Sequence, residues 1–355
     1  MNKYFVLFST LILCSVSQAT VRTVNNYITN SAQFSTVQPA IIASATNDTI
    51  YIHGSPVSYG DFTITKRLVI IGAGYNLSNT INNYNTVVGT ITIDTVSVNQ
   101  ALSGFILQGL QMNGYLSFAG TDRANNVLID RCKFYNITVN GSNWVIKNSV
   151  SLYNSSPVSI GITSTSSNVL ISNNIFGMLS ISNGNGLTNY ASGVKVSNNE
   201  LGGLEGQYSY YILYVNNIVK SFGSIGINNT FSRNITFTDG GPLINFPPAN
   251  NTGSGNFNNI NPLYVNYTKP WGSGYGSHYE NLLNNDFNYQ SGSVAINGGT
   301  DSTNIGISGG PYPTLTTKIF DGRTKIPLVV DVNIENAYVK PGQPIQIHFK
   351  ARKNN

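Results

Sequence analysis

The chain has 355 residues, which is enough to bury a large apolar core. Only 9% of the residues are charged, the net charge is +5, and lysine and arginine form no dense run, so the composition excludes a nucleic-acid partner. Hydrophobic residues make up 41% and occur in short regular runs, which excludes an intrinsically disordered chain despite the many asparagine and glycine residues.

The first residues have the pattern of a secretory signal peptide. Lys3 gives the positive end, residues 4–16 give the apolar stretch, and Ser17-Gln18-Ala19 is a small-x-small cleavage site. The apolar stretch is too short to span a membrane. We therefore predict that residues 1–19 are removed and that the protein is secreted, extracellular or at the cell surface, with no transmembrane span. The mature chain keeps one cysteine, Cys132, and so has no internal disulfide.

A short helix is predicted near the mature N-terminus. Residues 20–33 are expected to extend a first strand, and residues 35–45 place apolar side chains at helical spacing. Ser35 and Gln38 have the spacing of a capping box, and Pro39 fits the first turn because its missing N–H is not needed there. The helix would cover the open apolar end of the coils that follow.

A short phrase recurs between residues 125 and 231: an apolar run, a polar pair and another apolar residue. Its clear copies are Val127-Leu128-Ile129-Asp130-Arg131-Cys132-Lys133-Phe134, Trp144-Val145-Ile146-Lys147-Asn148-Ser149-Val150, Val169-Leu170-Ile171-Ser172-Asn173-Asn174-Ile175-Phe176 and Val194-Lys195-Val196-Ser197-Asn198-Asn199-Glu200-Leu201. The polar pairs begin at 131, 148, 173, 198, 216 and 228, in steps of 17, 25, 25, 18 and 12. Short β-branched runs at this period predict a solenoid of strands.

The asparagine pairs predict how the chain turns between strands. Asparagine tolerates the left-handed backbone region better than other residues with a side chain, glycine apart. Stacking the coils would place the second member of each pair in one column, where side-chain amides can hydrogen bond along the stack. The predicted ladder contains Asn174, Asn199, Asn217 and Asn229, with Cys132 and Ser149 in the same column of the two preceding coils.

These coils and two flanking stretches resemble the secreted bacterial type of right-handed parallel β-helix protein, in the pectate-lyase-like superfamily. The flanking stretches are Phe34-Ser35-Thr36-Val37-Gln38-Pro39-Ala40-Ile41 with Leu68-Val69-Ile70-Ile71-Gly72-Ala73-Gly74 on one side, and Asn261-Pro262-Leu263-Tyr264-Val265-Asn266 with Ser293-Val294-Ala295-Ile296-Asn297-Gly298-Gly299 on the other. The resemblance covers about residues 34–312. It implies an all-β fold, a right-handed parallel β-helix over residues 20–312, but no single activity, because this fold hosts lyases, hydrolases, esterases, adhesins and scaffolds.

Two C-terminal regions depart from the coil pattern. Residues 247–289 are rich in asparagine, glycine, tyrosine and proline, and are predicted to form an insert. Residues 320–355 contain two alternating runs, 326–332 and 345–350, which predict a C-terminal β-hairpin appendage rather than an independent domain.

The first candidate chemistry is a lyase acting on acidic polysaccharide. Enzymes of this kind on this fold are implied to hold Ca²⁺ with carboxylates and to use a lysine or arginine base. The densest charge cluster contains Asp122, Asp130, Arg131 and Lys133, which would be the catalytic residues of a lyase. Strand alternation would place Arg131 and Lys133 on one face, where a cationic base could remove a proton alpha to a carboxylate. A solvated salt-bridged patch is the alternative interpretation.

A glycoside hydrolase and a metal site find less support. No two aspartates adjoin, so the paired carboxylates of a hydrolase would have to meet across coils. His53, His278 and His348 are isolated, with no ligand spacing between them, so no metal or other cofactor is expected unless a lyase binds Ca²⁺.

The third candidate is non-catalytic binding of an extracellular polysaccharide or cell-surface glycan. Aromatic rings can stack on sugars, and two clusters offer them: Trp271, Tyr275 and Tyr279 in the insert, and Tyr208 and Tyr211, with Tyr210 and Tyr214, after a glycine pair. Packing of these rings within loops is the alternative. Trp271 is expected to be exposed and Trp144 to face its neighbours. We predict a monomeric glycan-binding or scaffolding protein, with the lyase or hydrolase as the alternative.

Overall fold

The computed structural model describes the backbone of residues 102, 328–334 and 347–352, and both backbone and side chains over residues 19–27, 32–75, 84–94, 103–120, 122–151, 158–238, 243–267 and 286–313. These described ranges contain one helix, α1 (Val37–Ala43). The first strands are β1 (Val21–Val24), β2 (Thr49–Ile52), β3 (Phe62–Ile64), β4 (Val69–Gly72), β5 (Val87–Val88), β6 (Ile91–Ile93), β7 (Leu102–Ser103), β8 (Ile106–Gln108), β9 (Gln111–Met112), β10 (Leu116–Phe118) and β11 (Ala124–Asn125).

The repeated phrase supplies the middle strands. They are β12 (Leu128–Asp130), β13 (Lys133–Phe134), β14 (Asn136–Val139), β15 (Ser142–Lys147), β16 (Val150–Ser151), β17 (Val158–Ile162), β18 (Ser167–Ser172), β19 (Ile175–Phe176), β20 (Leu179–Ser182), β21 (Gly184–Gly186), β22 (Asn189–Tyr190), β23 (Ser192–Ser197), β24 (Glu200–Leu201) and β25 (Leu204–Gly206). The remaining strands are β26 (Leu213–Val215), β27 (Ile218–Val219), β28 (Phe222–Ile225), β29 (Thr230–Ser232), β30 (Ile235–Thr236), β31 (Tyr264–Asn266), β32 (Asp286–Tyr289), β33 (Leu328–Ile334) and β34 (Ile347–Arg352).

Three long parallel sheets make the fold a parallel β-helix, as predicted. The first sheet has ten strands in the order β1-β2-β4-β8-β12-β15-β18-β23-β26-β29. The second has eight, β28-β25-β20-β17-β14-β10-β6-β3, and the third has eight, β30-β27-β24-β19-β16-β13-β9-β5. From β12 onward each coil contributes one strand to the first sheet, then one to the third and one to the second, so every coil stacks on its neighbours in register.

The core fills the interior with stacked apolar side chains. Ile146 pairs with Ile171, and Ile171 with Val196, in the first sheet, and all three are buried. In the second sheet Ile137, Ile160 and Ile181 form the matching buried column. Trp144 is fully buried and its indole N–H donates to the carbonyl of Ala124 at 2.7 Å, which confirms that it faces its neighbours.

Both ends of the solenoid are covered. Helix α1 buries Val37, Ala40 and Ile41 against the first coils, which confirms the capping helix. The predicted capping box is wrong: the helix begins after Thr36 without a side-chain cap, and Gln38 instead exchanges hydrogen bonds with the backbone of Thr63 in β3. The opposite end is covered by Phe246, whose ring lies 4.7 Å from that of Phe231.

The coil pattern continues further than the sequence indicated. Thr252 bridges to Thr230, and Phe257 to Ile235, in the parallel sense, so residues after 247 add a further turn. Residues 261–267 and 286–312, here called the C-terminal strap, then return along the outside of the third sheet. Beyond them β33 and β34 pair antiparallel, which confirms the predicted hairpin, each strand starting two residues later than expected.

None of the helices in the described ranges is long and apolar enough to cross a membrane.

Candidate functional site

The asparagine ladder forms at the corner between the first and third sheets. The side-chain N–H of Asn174 donates to Asn199 at 3.0 Å, that of Asn199 to Asn217 at 2.9 Å, and that of Asn217 to Asn234 at 3.0 Å. Cys132 and Ser149 extend the column: the Cys132 backbone N–H donates to Ser149 Oγ, and the Ser149 backbone N–H to Asn174 Oδ1. Every rung is buried, so the ladder satisfies interior polar groups instead of presenting them to a ligand.

The placement of Asn229 in this ladder is wrong. Asn234 takes the position, preceded by Arg233 in the left-handed region. Asn229 follows the other corner, between the second and first sheets, where its backbone N–H donates to Asn251 and its amide donates to the carbonyl of Ser209. At both corners a left-handed polar residue, Asn228 or Arg233, is followed by an asparagine and then by a short strand, so the two corners look alike in sequence.

The predicted lyase residues do not lie on one continuous strand. Arg131 has φ 51, which ends β12 at Asp130 and turns the chain into the third sheet. Alternation therefore does not run from Arg131 to Lys133, which lies in β13. Arg131 contacts the buried carboxylate of Asp130 at 3.4 Å. Asp122 is separated from them by β12 and lies at the opposite corner, where its carbonyl accepts from Asn140.

Lys133 keeps one property that a base would need. Burial lowers the pKa of its amine to about 8, which makes a neutral amine accessible near physiological pH. The Ca²⁺ that a lyase would use has no visible site, because no three His, Cys, Asp or Glu side chains gather within the described ranges. The carboxylates nearest in sequence, Asp130 and Asp122, lie at opposite ends of β12.

The aromatic candidates separate into exposed and buried rings. Tyr208 is 53% exposed and Tyr211 is 46% exposed, as binding residues must be. Tyr214 is instead a core residue, stacked on Phe231 with ring centroids 4.7 Å apart. Trp271, Tyr275 and Tyr279 lie outside the described residues.

A different surface emerges on the outer face of the second sheet. The outward positions of strands β14, β17 and β20 form two rows of small residues, which are polar except for Gly161. Thr138, Gly161 and Ser182 are in register in one row, and Asn136, Ser159 and Ser180 in the other. The intervening isoleucines point into the core. This face therefore combines a flat backbone with hydroxyl and amide groups and carries no charge in these six positions.

A shallow groove of about 390 Å³ runs along one edge of this face. A Cβ atom added at Gly161 would meet no other atom within 4 Å, so the absence of a side chain there leaves open space at the base of the groove. None of the lining residues is charged: they are Thr138, Gly161, Ile162, Thr163, Ser164, Ser182, Gly184 and Asn185. This lining offers hydroxyl groups and a side-chain amide beside open space, which suits a polar, uncharged ligand.

The hairpin β21–β22 forms one wall of the groove. It is antiparallel in an otherwise parallel stack, and it leaves the coil at the buried residue Asn183. The Asn183 amide donates to the carbonyls of Ala191 at 3.1 Å and Tyr210 at 2.8 Å, and its oxygen accepts from the Tyr210 backbone N–H. These bonds fix the base of the hairpin to the segment that carries Tyr208 and Tyr211.

No protein-family model and no curated protein matches this sequence. The parallel β-helix is shown by the three sheets, whereas membership of the pectate-lyase-like superfamily stays a prediction.

Tyr211 supplies an aromatic surface at the hairpin. Tyr190, which pairs with the groove residue Gly184, stacks on Tyr211 with ring centroids 4.6 Å apart and planes at 26°. Tyr211 has φ 54, in the corner column where the neighbouring coils have Gly193 and Asn228. A left-handed backbone costs a residue with a bulky side chain about 1–2 kcal/mol, so the corner geometry holds the exposed Tyr211 in a strained conformation.

Sequence reasoning named Tyr208 and Tyr211 but missed the groove. Its residues come from three coils, and only the register of β14, β17 and β20 brings Thr138, Gly161 and Ser182 together. One signal was present in the sequence: Gly161 breaks a run of β-forming residues, and an isolated glycine in a strand often marks a close approach by a ligand.

Proposed function

We propose that this protein is an extracellular, non-catalytic β-helix that binds a glycan in the groove beside β21–β22. The observation that carries the proposal is an uncharged groove lined by hydroxyl and amide groups, next to the stacked pair of half-buried Tyr190 and exposed Tyr211. Sugar hydroxyls exchange hydrogen bonds with such groups, and tyrosine rings cover the apolar faces of sugars.

The absence of charge in the lining favours a neutral glycan over an acidic one. Burying a carboxylate of an acidic polysaccharide against Thr138, Gly161 or Ser182 would remove water without supplying a cation. A neutral chain loses only hydroxyl hydration, which the groove can replace. The shallow shape implies modest affinity, since little of the ligand is enclosed.

The test fills the groove without disturbing the fold. In Gly161→Val the new side chain enters open space, and valine is a better strand residue than glycine. We expect binding of a neutral polysaccharide, measured by titration calorimetry across a panel of neutral and acidic glycans, to weaken by about tenfold or more, which corresponds to 1.4 kcal/mol. The melting temperature should not fall.

The control is Thr92→Val, which changes an outward position of the same sheet in β6, outside the groove. It should bind like the wild type. Unchanged affinity in Gly161→Val, or binding confined to acidic glycans, would contradict the proposal.

A lyase is the second candidate, and the lowered pKa of Lys133 is the observation in its favour. The same panel tests it when assayed for unsaturated sugar ends with and without Ca²⁺. Ca²⁺-dependent cleavage that disappears in Lys133→Ala would replace the binding proposal. We expect no cleavage, because the carboxylates Asp122 and Asp130 are held apart.

A further inference from the structure

The C-terminal strap covers the outer face of the third sheet. Its apolar residues Tyr264, Phe287, Ala295, Ile305 and Ile307 form one buried cluster with the outward residues of the coils beneath. Corner asparagines hold its backbone: the Asn173 amide donates to the carbonyls of Ile307 at 3.0 Å and Gly309 at 2.7 Å. The strap is therefore a separate layer that packs on coils up to 136 residues earlier in the chain.

One position beneath the strap breaks the apolar pattern. The outward column of the third sheet runs in register through Val150, Ile175, Glu200, Ile218 and Ile235. Glu200 is only 3% exposed. Its Oε1 accepts a hydrogen bond from the Tyr264 hydroxyl of the strap, whereas its Oε2 has no hydrogen-bond partner in the described part of the chain. A carboxyl group thus occupies the centre of an apolar interface with half of its polar atoms unsatisfied.

The groups around Glu200 favour its neutral form. Burial raises the pKa of Glu200 to about 8, against smaller lowering effects from the Tyr264 hydrogen bond and the charge of Lys220. Lys220 follows β27 and donates to the Tyr267 hydroxyl of the strap at 2.9 Å. Tyr289, on β32, donates to the carbonyl of Ile305, and burial raises its pKa far above the usual range, as it does for Tyr264. The strap thus faces Glu200 with tyrosines that stay neutral.

We propose that the C-terminal strap is a pH-controlled cover of the third sheet, closed while Glu200 is protonated and loosened when Glu200 ionises. Closing the strap removes the carboxyl group from water, and lifting it restores hydration to both oxygens. The strap can open while the coils stay folded, because its contacts with them are separate from the ladders that hold the coils together.

The direction follows from proton linkage. With the strap closed, Glu200 binds its proton with a pKa of about 8, and with the strap open the pKa returns towards 4.5. The closed state therefore binds the proton more tightly and is most favoured below pH 4.5. As the pH rises from there, closing weakens by about tenfold per pH unit, and the loss ends above about pH 8.

The experiment measures hydrogen–deuterium exchange of the full mature chain between pH 5 and 9, with rates corrected for intrinsic exchange. Gly306 is a direct reporter, because its N–H donates to the carbonyl of Asn216 on the coil beneath at 2.8 Å. We expect protection of the peptide around Gly306 to fall by about tenfold per pH unit up to pH 8. Protection of β18 should stay constant. In Glu200→Gln, strap protection should stay high throughout.

Two further variants separate titration from simple packing. Glu205→Gln makes the same change in β25 of the second sheet, outside the strap, and should keep the wild-type slope. Lys220→Met removes a charge that lowers the Glu200 pKa, so the pH at which the slope ends should rise. This variant also decides the question if Glu200→Gln fails to fold. A slope that persists in Glu200→Gln, or an equal slope for β18, would overturn the proposal.

Discussion

The outer faces of the second and third sheets come from the same coils, but one is exposed to solvent and the other is covered by the C-terminal strap. On the second sheet the outward residues are small and polar, such as Ser159 and Ser180, and this face is open to solvent. On the third sheet they are aliphatic, such as Ile175 and Ile218, and the C-terminal strap buries them. The inward residues are apolar in both. The outward residues, together with the corner asparagines that bind the strap, therefore distinguish the covered face from the open one.

The largest expected effect breaks the covered face. Ile175 in β19 and Ser180 in β20 belong to one coil and both point outward. Ile175→Ala should lower the free energy of unfolding by about 2–5 kcal/mol, because it leaves a cavity under the strap. Ser180→Ala should change it by less than about 0.5 kcal/mol, because the site is open. Urea denaturation followed by circular dichroism checks both, and equal losses would mean that the two faces do not differ.

A smaller loss of stability is expected when either of two adjacent asparagines is replaced, one binding the ladder and the other the strap. The Asn199 side chain belongs to the ladder, whereas the Asn198 amide donates to the strap carbonyl of Asn304 at 3.2 Å. Asn199→Leu should cost about 1–3 kcal/mol in global stability, because buried partners lose hydrogen bonds.

The matched variant is Asn198→Gly, which keeps the left-handed backbone that Asn198 adopts at φ 56. It should cost about 0.5–1.5 kcal/mol, seen in hydrogen exchange as faster opening of the strap only. The distinction fails if Asn198→Gly destabilises the coils as much as Asn199→Leu does.

The smallest effect concerns the open face. Tyr211→Asn should relieve backbone strain but lose the stacking on Tyr190. The free energy of unfolding, followed through the melting temperature, should therefore change by less than about 1 kcal/mol. Glycan affinity should nevertheless fall by about fivefold or more, since a ring beside the groove is removed. The matched control is Asn250→Gly, at an exposed left-handed residue two coils further along the same corner column, and it should bind like the wild type. Unaltered affinity in Tyr211→Asn would place the ligand elsewhere.

The sequence predicted the features that depend on local pattern. The period of the Asn173-Asn174 and Asn198-Asn199 pairs identified the coils, since a left-handed corner and an amide ladder both need that residue type. The capping helix also followed from spacing alone. Asn229 failed because Asn228-Asn229 and Arg233-Asn234 both stand before a short strand, and the correct step of 17 residues from Asn216 points to Arg233.

Features made by distant segments could not be predicted. The strap meets the coils across 134 positions between Asn173 and Ile307, and no local pattern links those residues. The same is true of Glu200, which looks like a strand-edge residue until the strap buries it. The lyase hypothesis assumed that β12 continues through Arg131. Strand alternation applies only within one strand, and it does not reveal the left-handed turn that ends β12 there.

The separation between strap and coils also orders events during synthesis. Asn173 and its partner Gly309 are 136 positions apart, and a ribosome adding about 5–20 residues per second needs on the order of ten seconds to cover that distance. The coils can stack as they emerge, and helix α1 is already present to cover their first end. The aliphatic outer column of the third sheet, in contrast, remains bare until the strap has been made. A nascent chain of this protein therefore displays an aliphatic stripe between Val150 and Ile235, interrupted by Glu200, and such transiently exposed surface makes a folding intermediate prone to aggregation.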